Sequence, residues 1–151
     1  MNNIMVAINK LIILILFLID FISLYLYCEI FNDADVFFFK QRLVDNENVY
    51  SIIAYIDDKP IGFKVGYYYS DDTFYSWVGG ILPDYRKKGI ATKLAELQEQ
   101  YAKSAGYSKL RTKSMNQYKS MMILNLKRGF DIVKFYTNEK GQTKIVFEKL
   151  I

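Results

Sequence analysis

The chain has 151 residues, enough for one domain of ordinary size, and its 52% apolar content with 8 Gly and 2 Pro describes a packed globule rather than a disordered chain. It contains no histidine and one cysteine, Cys28, which excludes a Ser-His-Asp or Cys-His relay, a His-containing zinc site and an internal disulfide. The net charge of +4 suits an anionic small ligand as well as nucleic acid and decides nothing alone. Chemistry must therefore come from carboxylates, Tyr, Lys, backbone groups or a bound cosubstrate, and no metal is expected. Cys28 ends a hydrophobic run and is read as an inert packing residue.

In chain order, Leu11 to Ile19 is an unbroken apolar stretch that resumes after Asp20 and continues to Cys28. Phe31-Asn32-Asp33 leads into a short capped helix over Ala34 to Leu43. Val49 to Asp57 reads as a strand, and Asp57-Asp58-Lys59-Pro60 as a turn into a second strand, Ile61 to Tyr69. Ser70-Asp71-Asp72 turns the chain into a third strand, Thr73 to Ile81, which Pro83 ends. Apolar residues then recur at Ile90, Ala91, Leu94, Ala95, Leu97, Tyr101 and Ala102, a helical spacing with Gly106 as its stop. Ser108 to Ser114 is a short strand, and Tyr118 to Arg128 a helix closed by Gly129. Phe130 to Thr137 and Thr143 to Leu150 form a last hairpin. The order predicts an α/β (α+β) domain: one mixed, mostly antiparallel sheet with helices on both faces.

The informative segment is Ile81-Leu82-Pro83-Asp84-Tyr85-Arg86-Lys87-Lys88-Gly89-Ile90-Ala91-Thr92. A strand ends, a basic loop follows and a helix opens at a glycine. The first amides of a helix have no internal partner and lie at the positive end of its dipole. Gly89 lets a phosphate approach the backbone, Ala91 keeps the next position small, and Arg86, Lys87 and Lys88 add charge. The Gly-Lys-Ser/Thr ending of a Walker loop is missing, and so is the three-glycine spacing of a dinucleotide fold.

Arg86-Lys87-Lys88-Gly89-Ile90-Ala91 resembles the Arg/Gln-x-x-Gly-x-Gly/Ala pyrophosphate motif of the GNAT N-acetyltransferases. The block Asn116 to Phe130 with its Gly-Phe ending, and the Pro60-Ile61-Gly62-Phe63-Lys64 entry to the second strand, are similar to that family in the same order. The resemblance spans about residues 30 to 151. It implies acetyl-coenzyme A as cosubstrate and transfer of its acetyl group to an amine. It places the acetyl carbonyl and pantetheine on the amides of Ile81 and Leu82, and the pyrophosphate on those of Lys88, Gly89, Ile90, Ala91 and Thr92. Many members carry a proton-donating Tyr where this chain has Asn125, whose amide hydrogen-bonds but cannot act as an acid. Tyr118, Tyr136, another tyrosine or water is left to protonate the thiolate. Asn116 stands as either a cofactor contact or a helix N-cap. No general base is identified among Glu47, Asp71, Asp72 and Asp84, each equally a solvated turn carboxylate. Trp77 and Tyr75 belong to the core or to an acceptor pocket.

The run Leu11 to Cys28 is about 18 residues, the minimum for a membrane span. Its apolar side chains favour insertion, whereas Asp20 at its centre costs about 3 kcal/mol. Lys10 precedes the run and acidic residues follow it, so an inserted helix would send the domain outside, away from acetyl-coenzyme A. Residues 1–30 are accordingly expected to form a segment packed on the domain of residues 31–151, or lent to a homodimer contact, with a membrane anchor as the alternative. Ile4 to Ile8 is the candidate for the family's first strand. The expected protein is a cytoplasmic acetyltransferase with an unidentified amine acceptor and no nucleic-acid partner. The competing reading is a non-catalytic acyl-coenzyme A-binding module on the same scaffold.

Overall fold

The computed structural model describes residues 17–151. The proposed strand Ile4 to Ile8 and the first part of the apolar run lie outside the described residues. Residues 17–30 are helical (α1), followed by α2 (Val36–Asp45), β1 (Tyr50–Ile56), β2 (Lys59–Ser70) and β3 (Thr73–Ile81). A 3-10 turn, Pro83–Tyr85, leads to α3 (Ile90–Ser104), β4 (Lys109–Met115), α4 (Lys119–Lys127), β5 (Asp131–Thr137) and β6 (Thr143–Leu150). The strands form one six-stranded sheet in the order β1-β2-β3-β4-β6-β5, antiparallel except for the parallel pair β3/β4. This is the α/β architecture the element order predicts.

Local chemistry sets the boundaries. The cap of α2 is Asp35, whose Oδ1 accepts from the Phe38 amide at 2.9 Å, so the helix starts and ends two residues later than Ala34 to Leu43. Asp57 and Asp58 take φ of 48° and 62°, both left-handed, making the two-residue turn that twisted hairpins favour. In α3 the buried positions are Leu94, Gln98 and Ala102, one stripe at four-residue spacing. Gly66 of β2 lies beneath that stripe: a Cβ there would stand 2.8 Å from Gln98 Nε2 and 2.6 Å from the Tyr75 carbonyl oxygen.

The two faces of the sheet carry separate cores. Phe74, Leu110, Phe130 and Phe147 pack with Ala102 and Tyr107 on the α3/α4 face. Leu26, Phe39, Phe63 and Val65 pack with Trp77 on the α1/α2 face, so Trp77 is a core residue. The polar side of α1 turns inward: Ser23 is fully buried, Asp20 accepts from the Ser51 hydroxyl at 3.5 Å, and the Tyr27 hydroxyl accepts from the Asp35 amide. Burial raises the Asp20 pKa. Phe17, Leu18, Phe21 and Tyr25 point outward, and Cys28 is exposed, so it is not the packing residue the sequence suggested. A cysteine at the end of an apolar run is buried only if its helical face is, and the buried face here is that of Ser23 and Leu26. Among the described residues no helix is long and apolar enough to cross a membrane.

One ionic cluster ties the α3/α4 face together. Glu99 of α3 accepts from Arg128, just past α4, at 2.7 Å and from Lys149 of β6 at 2.8 Å, with Lys103 at 3.2 Å. Burial works to raise the Glu99 pKa, but the bonds and charges of Lys149, Lys103 and Arg128 outweigh it and hold the carboxyl below its ordinary value. Removing the acid leaves Arg128 and Lys149, both largely buried, and the exposed Lys103 without their shared partner. Glu99→Gln is expected to cost about 1–3 kcal/mol in denaturant unfolding at neutral pH, because one partner of a partly buried network is lost. Because the folded-state pKa is depressed, the deficit is full at neutral pH and shrinks as pH falls through the folded value. An unchanged midpoint at pH 7 would contradict this role.

Candidate active site

Three parallel pairs join β3 to β4, Thr73 to Lys109, Phe74 to Leu110 and Tyr75 to Arg111, and then the strands part. The apex is closed by Thr112 Oγ1 donating to the Ser76 carbonyl oxygen at 2.7 Å. Beyond it, β3 runs on to Ile81 with β2 on one side and no strand on the other. A cavity of about 540 Å³ occupies this split.

The phase of the β2/β3 ladder decides which amides face it. The Leu82 amide donates to Ile61 at 2.9 Å, so Leu82 is spent on β2 and does not line the cavity. In an antiparallel ladder the bonded pairs alternate with unbonded ones. Ile81 opposite Gly62, and Gly79 opposite Lys64, are therefore the pairs whose backbone N–H and C=O turn toward the split. The sequence reading paired Ile81 with Leu82; the ladder turns Ile81 and Gly79 toward the cavity and Leu82 toward β2. A one-residue difference in ladder phase reverses every such assignment. Arg86 Nε occupies the Ile81 carbonyl oxygen at 3.0 Å, which leaves the Ile81 amide toward the cavity.

The mouth is built from the loop and the start of α3. Gly89 is the N-cap with φ +78°, and a Cβ added there would meet no atom within 4 Å. Glycine is thus required by the left-handed backbone, and the space before it is open. The first helical bond is Lys93 N to the Gly89 carbonyl, so the amides of Ile90, Ala91 and Thr92 have no partner within the helix, and all three residues line the cavity. Arg86 and Lys87 line it too, Lys87 with φ 59°. Lys88 does not: its ammonium sits over the Tyr85 ring, 5.3 Å from the centroid. The mouth combines unpaired amides, a helix N-terminus and cationic side chains, the requirements for a diphosphate.

Past the apex stands α4. Asn125 is buried and Tyr118, the N-cap of α4, is half-buried; both line the cavity. Tyr118 meets Phe31 edge to face at 6.5 Å, where the cavity opens on the α1/α2 side. Asn116 is exposed and lies outside the lining, and it does not cap α4, whose N-cap is Tyr118, so the capping reading is corrected. Tyr136 lies on β5 beside Lys113 and Lys134, away from the cavity. Glu47, Asp71, Asp72 and Asp84 are also absent from it, and Asp72 spends its carboxylate on Ser70, Thr73 and Lys109.

Among the lining residues not anticipated, Lys64 and Gln98 carry polar groups. Lys64 of β2 faces the split opposite Gly79, and burial, with the Arg128 charge adding to it, pulls its pKa down to about 8. Gln98 is 1% exposed, and neither its Oε1 nor its Nε2 has a hydrogen-bond partner. Both left a trace in the sequence: Lys64 alternates with Gly62 and Gly66 on one face of a strand, and Gln98 interrupts the apolar stripe of α3.

The matches to known proteins agree with this geometry. Residues 16–130, more than half of the chain, match the model of the acetyltransferase (GNAT) family, and the chain belongs to that family. No curated protein matches it in sequence. Its fold is similar to a GNAT family acetyltransferase from Elizabethkingia anophelis with acetyl-CoA bound (TM-score 0.71, 20% identity, 79% of this chain and 85% of the other). It is also similar to an IAA acetyltransferase from Bacillus cereus (0.63, 22%, 67% and 77%). A third is the PaiA N-acetyltransferase from Thermoplasma acidophilum in complex with coenzyme A (0.60, 17%, 77% and 69%).

The depressed Lys64 has a measurable consequence. Its folded value of about 8 lies below the ordinary 10.5, so the unfolded chain binds more protons between those values and wild-type stability rises with pH across that window. Below pH 8 the buried charge is a net cost. Lys64→Met is expected to melt a few degrees higher than wild type at pH 7, with the gap closing between pH 8 and 10.5. A gap that is absent, or that widens with pH, would contradict the burial of this ammonium.

Proposed function

We propose that the protein transfers the acetyl group of acetyl-coenzyme A to an amine acceptor. The observation that supports this most is the continuity of one cavity from the unpaired amides of Ile90, Ala91 and Thr92 to the exposed strand edge at Gly79 and Ile81. A ligand with a diphosphate at one end and an amide-bearing arm at the other matches that order of groups. Acetyl-coenzyme A supplies a thioester already activated toward amines.

The residues divide the work. Gly89 to Thr92 bind the diphosphate through backbone amides, with Arg86 and Lys87 adding charge. Gly79 and Ile81 pair with the arm as a missing strand would. One of their amides donates to the carbonyl oxygen as negative charge develops on it, the contribution that usually dominates acyl transfer. No nucleophilic side chain is needed, because positioning two substrates supplies much of the rate. Tyr118 is the phenol in the lining nearest the acceptor side, and it is assigned to return a proton to the leaving thiolate. Asn125 orients the thiol end by hydrogen bonding. Among the described residues no carboxylate lines the cavity, so the amine loses its proton to water. The acceptor enters from the α1/α2 face, between Ile30, Phe31 and Tyr118.

The test is at Gly89. Gly89→Glu puts bulk and negative charge into the open space before the helix, whereas Gly89→Asn adds no charge and tolerates a left-handed backbone. In calorimetry, Gly89→Glu is expected to weaken acetyl-coenzyme A binding by about a hundredfold or more, and Gly89→Asn much less. A folded Gly89→Glu protein with wild-type affinity would overturn the diphosphate placement.

A further inference from the structure

The end of the split holds donors that neither the arm nor an acetyl group needs. Lys64 has no ion-pair partner among the described residues, Gln98 Nε2 is buried without an acceptor, and so is Arg128 Nε. All three residues line the same cavity on the α3/α4 side, and among the described residues no acid lines it with them. Buried donors are ordinarily paired, and Lys64 shares this wall with Arg128, whose charge Glu99 already meets, so the ammonium is the cation left without an anion among the described residues. Glu99 pairs with the Arg128 guanidinium and leaves only its Nε–H without an acceptor, whereas Lys64 has no acid beside it among the described residues.

Reach decides what could fill the place. Gln98 lies nine residues along α3 from Gly89, or about 14 Å at 1.5 Å per residue. Three chain bonds span about 3.5 Å, so the dozen or so bonds from the diphosphate to the sulfur of coenzyme A also span about 14 Å. The thioester therefore arrives level with Gln98, and the atoms beyond the thioester carbonyl meet the unpaired donors. The acceptor's side of the cavity, at Ile30 and Phe31, is on the other face of the sheet.

We infer that Lys64, Gln98 and Arg128 form a pocket for a carboxylate at the far end of the acyl group, so that the protein takes a dicarboxylic acyl-coenzyme A in preference to a neutral one of equal length. The inference rests on the coenzyme A reading above. A carboxylate offers acceptors to the three donors and neutralises the Lys64 ammonium, whereas a methyl group leaves each of them unpaired. Acidic acyl groups on the thioester are selected by this pocket, not by the diphosphate mouth.

Succinyl- and butyryl-coenzyme A differ only in a terminal carboxylate against a methyl, which makes them the test pair. Calorimetry on the wild-type protein is expected to show succinyl-coenzyme A binding at least about tenfold more tightly than butyryl-coenzyme A at pH 7, with that ratio falling toward one in Lys64→Met. Equal affinity for the two thioesters, or a preference for butyryl, overturns the inference on the wild-type protein alone, whatever the variant does. A ratio unchanged in folded Lys64→Met likewise removes Lys64 from the pocket and overturns it. Acetyl-coenzyme A is titrated alongside: if it fails to bind with the other two, the cosubstrate reading itself falls.

Discussion

The separation of β3 from β4 after Tyr75 is the constraint on which the rest depends. β3 runs on for six further residues with no strand on that side, and the backbone of Gly79 and Ile81 is turned to the gap in the middle of a six-stranded sheet. A central edge left open is a cost in a protein with no use for it, since backbone N–H and C=O groups away from water demand partners. Here the opening is held rather than tolerated. The Thr112 hydroxyl spans the apex to the Ser76 carbonyl, so the strands cannot zip further without losing a buried bond. At the top, Arg86 holds the Ile81 carbonyl from the loop side. Both contacts keep the edge of β3 open beyond the apex.

The helices take their places from that opening. α3 rests on the sheet through Gly66, which lets Gln98 close over β2, and it carries its unpaired amides to the mouth. α4 stands across the split and brings Asn125 and Tyr118 to its lining. Glu99 joins the two helices through Arg128, so the walls are fastened to each other. Polar groups without partners gather along one wall of the cavity, at a cost in stability. A core would have been better served by Leu and Met at Gln98 and Lys64.

Much of this was legible in the residues. Thr73 to Ile81 emerged as β3 without error, because Asp72 and Pro83 bound it sharply, and Gly89 announced a helix start after a basic loop. What failed were statements about where a group points. Leu82 sits beside Ile81 in sequence, yet the ladder phase that turns one amide outward turns its neighbour inward, and that phase depends on β2. Asn116 has the chemistry of a cap, but α4 begins at Tyr118 instead. Cys28 and Asp20 look alike as members of one apolar run, and only packing on β1 shows that the polar side of α1 faces in. Lys64 and Gln98 were not singled out, because sequence alone does not say that α3 covers this face of β2.

The claim that a ligand supplies the missing strand is tested most directly by amide hydrogen exchange with and without acetyl-coenzyme A. The account predicts strong added protection at Gly79 and Ile81 on saturation, and little change at Leu82, whose amide is already bonded to Ile61. Saturating ligand that leaves Gly79 and Ile81 exchanging as in the free protein would contradict it.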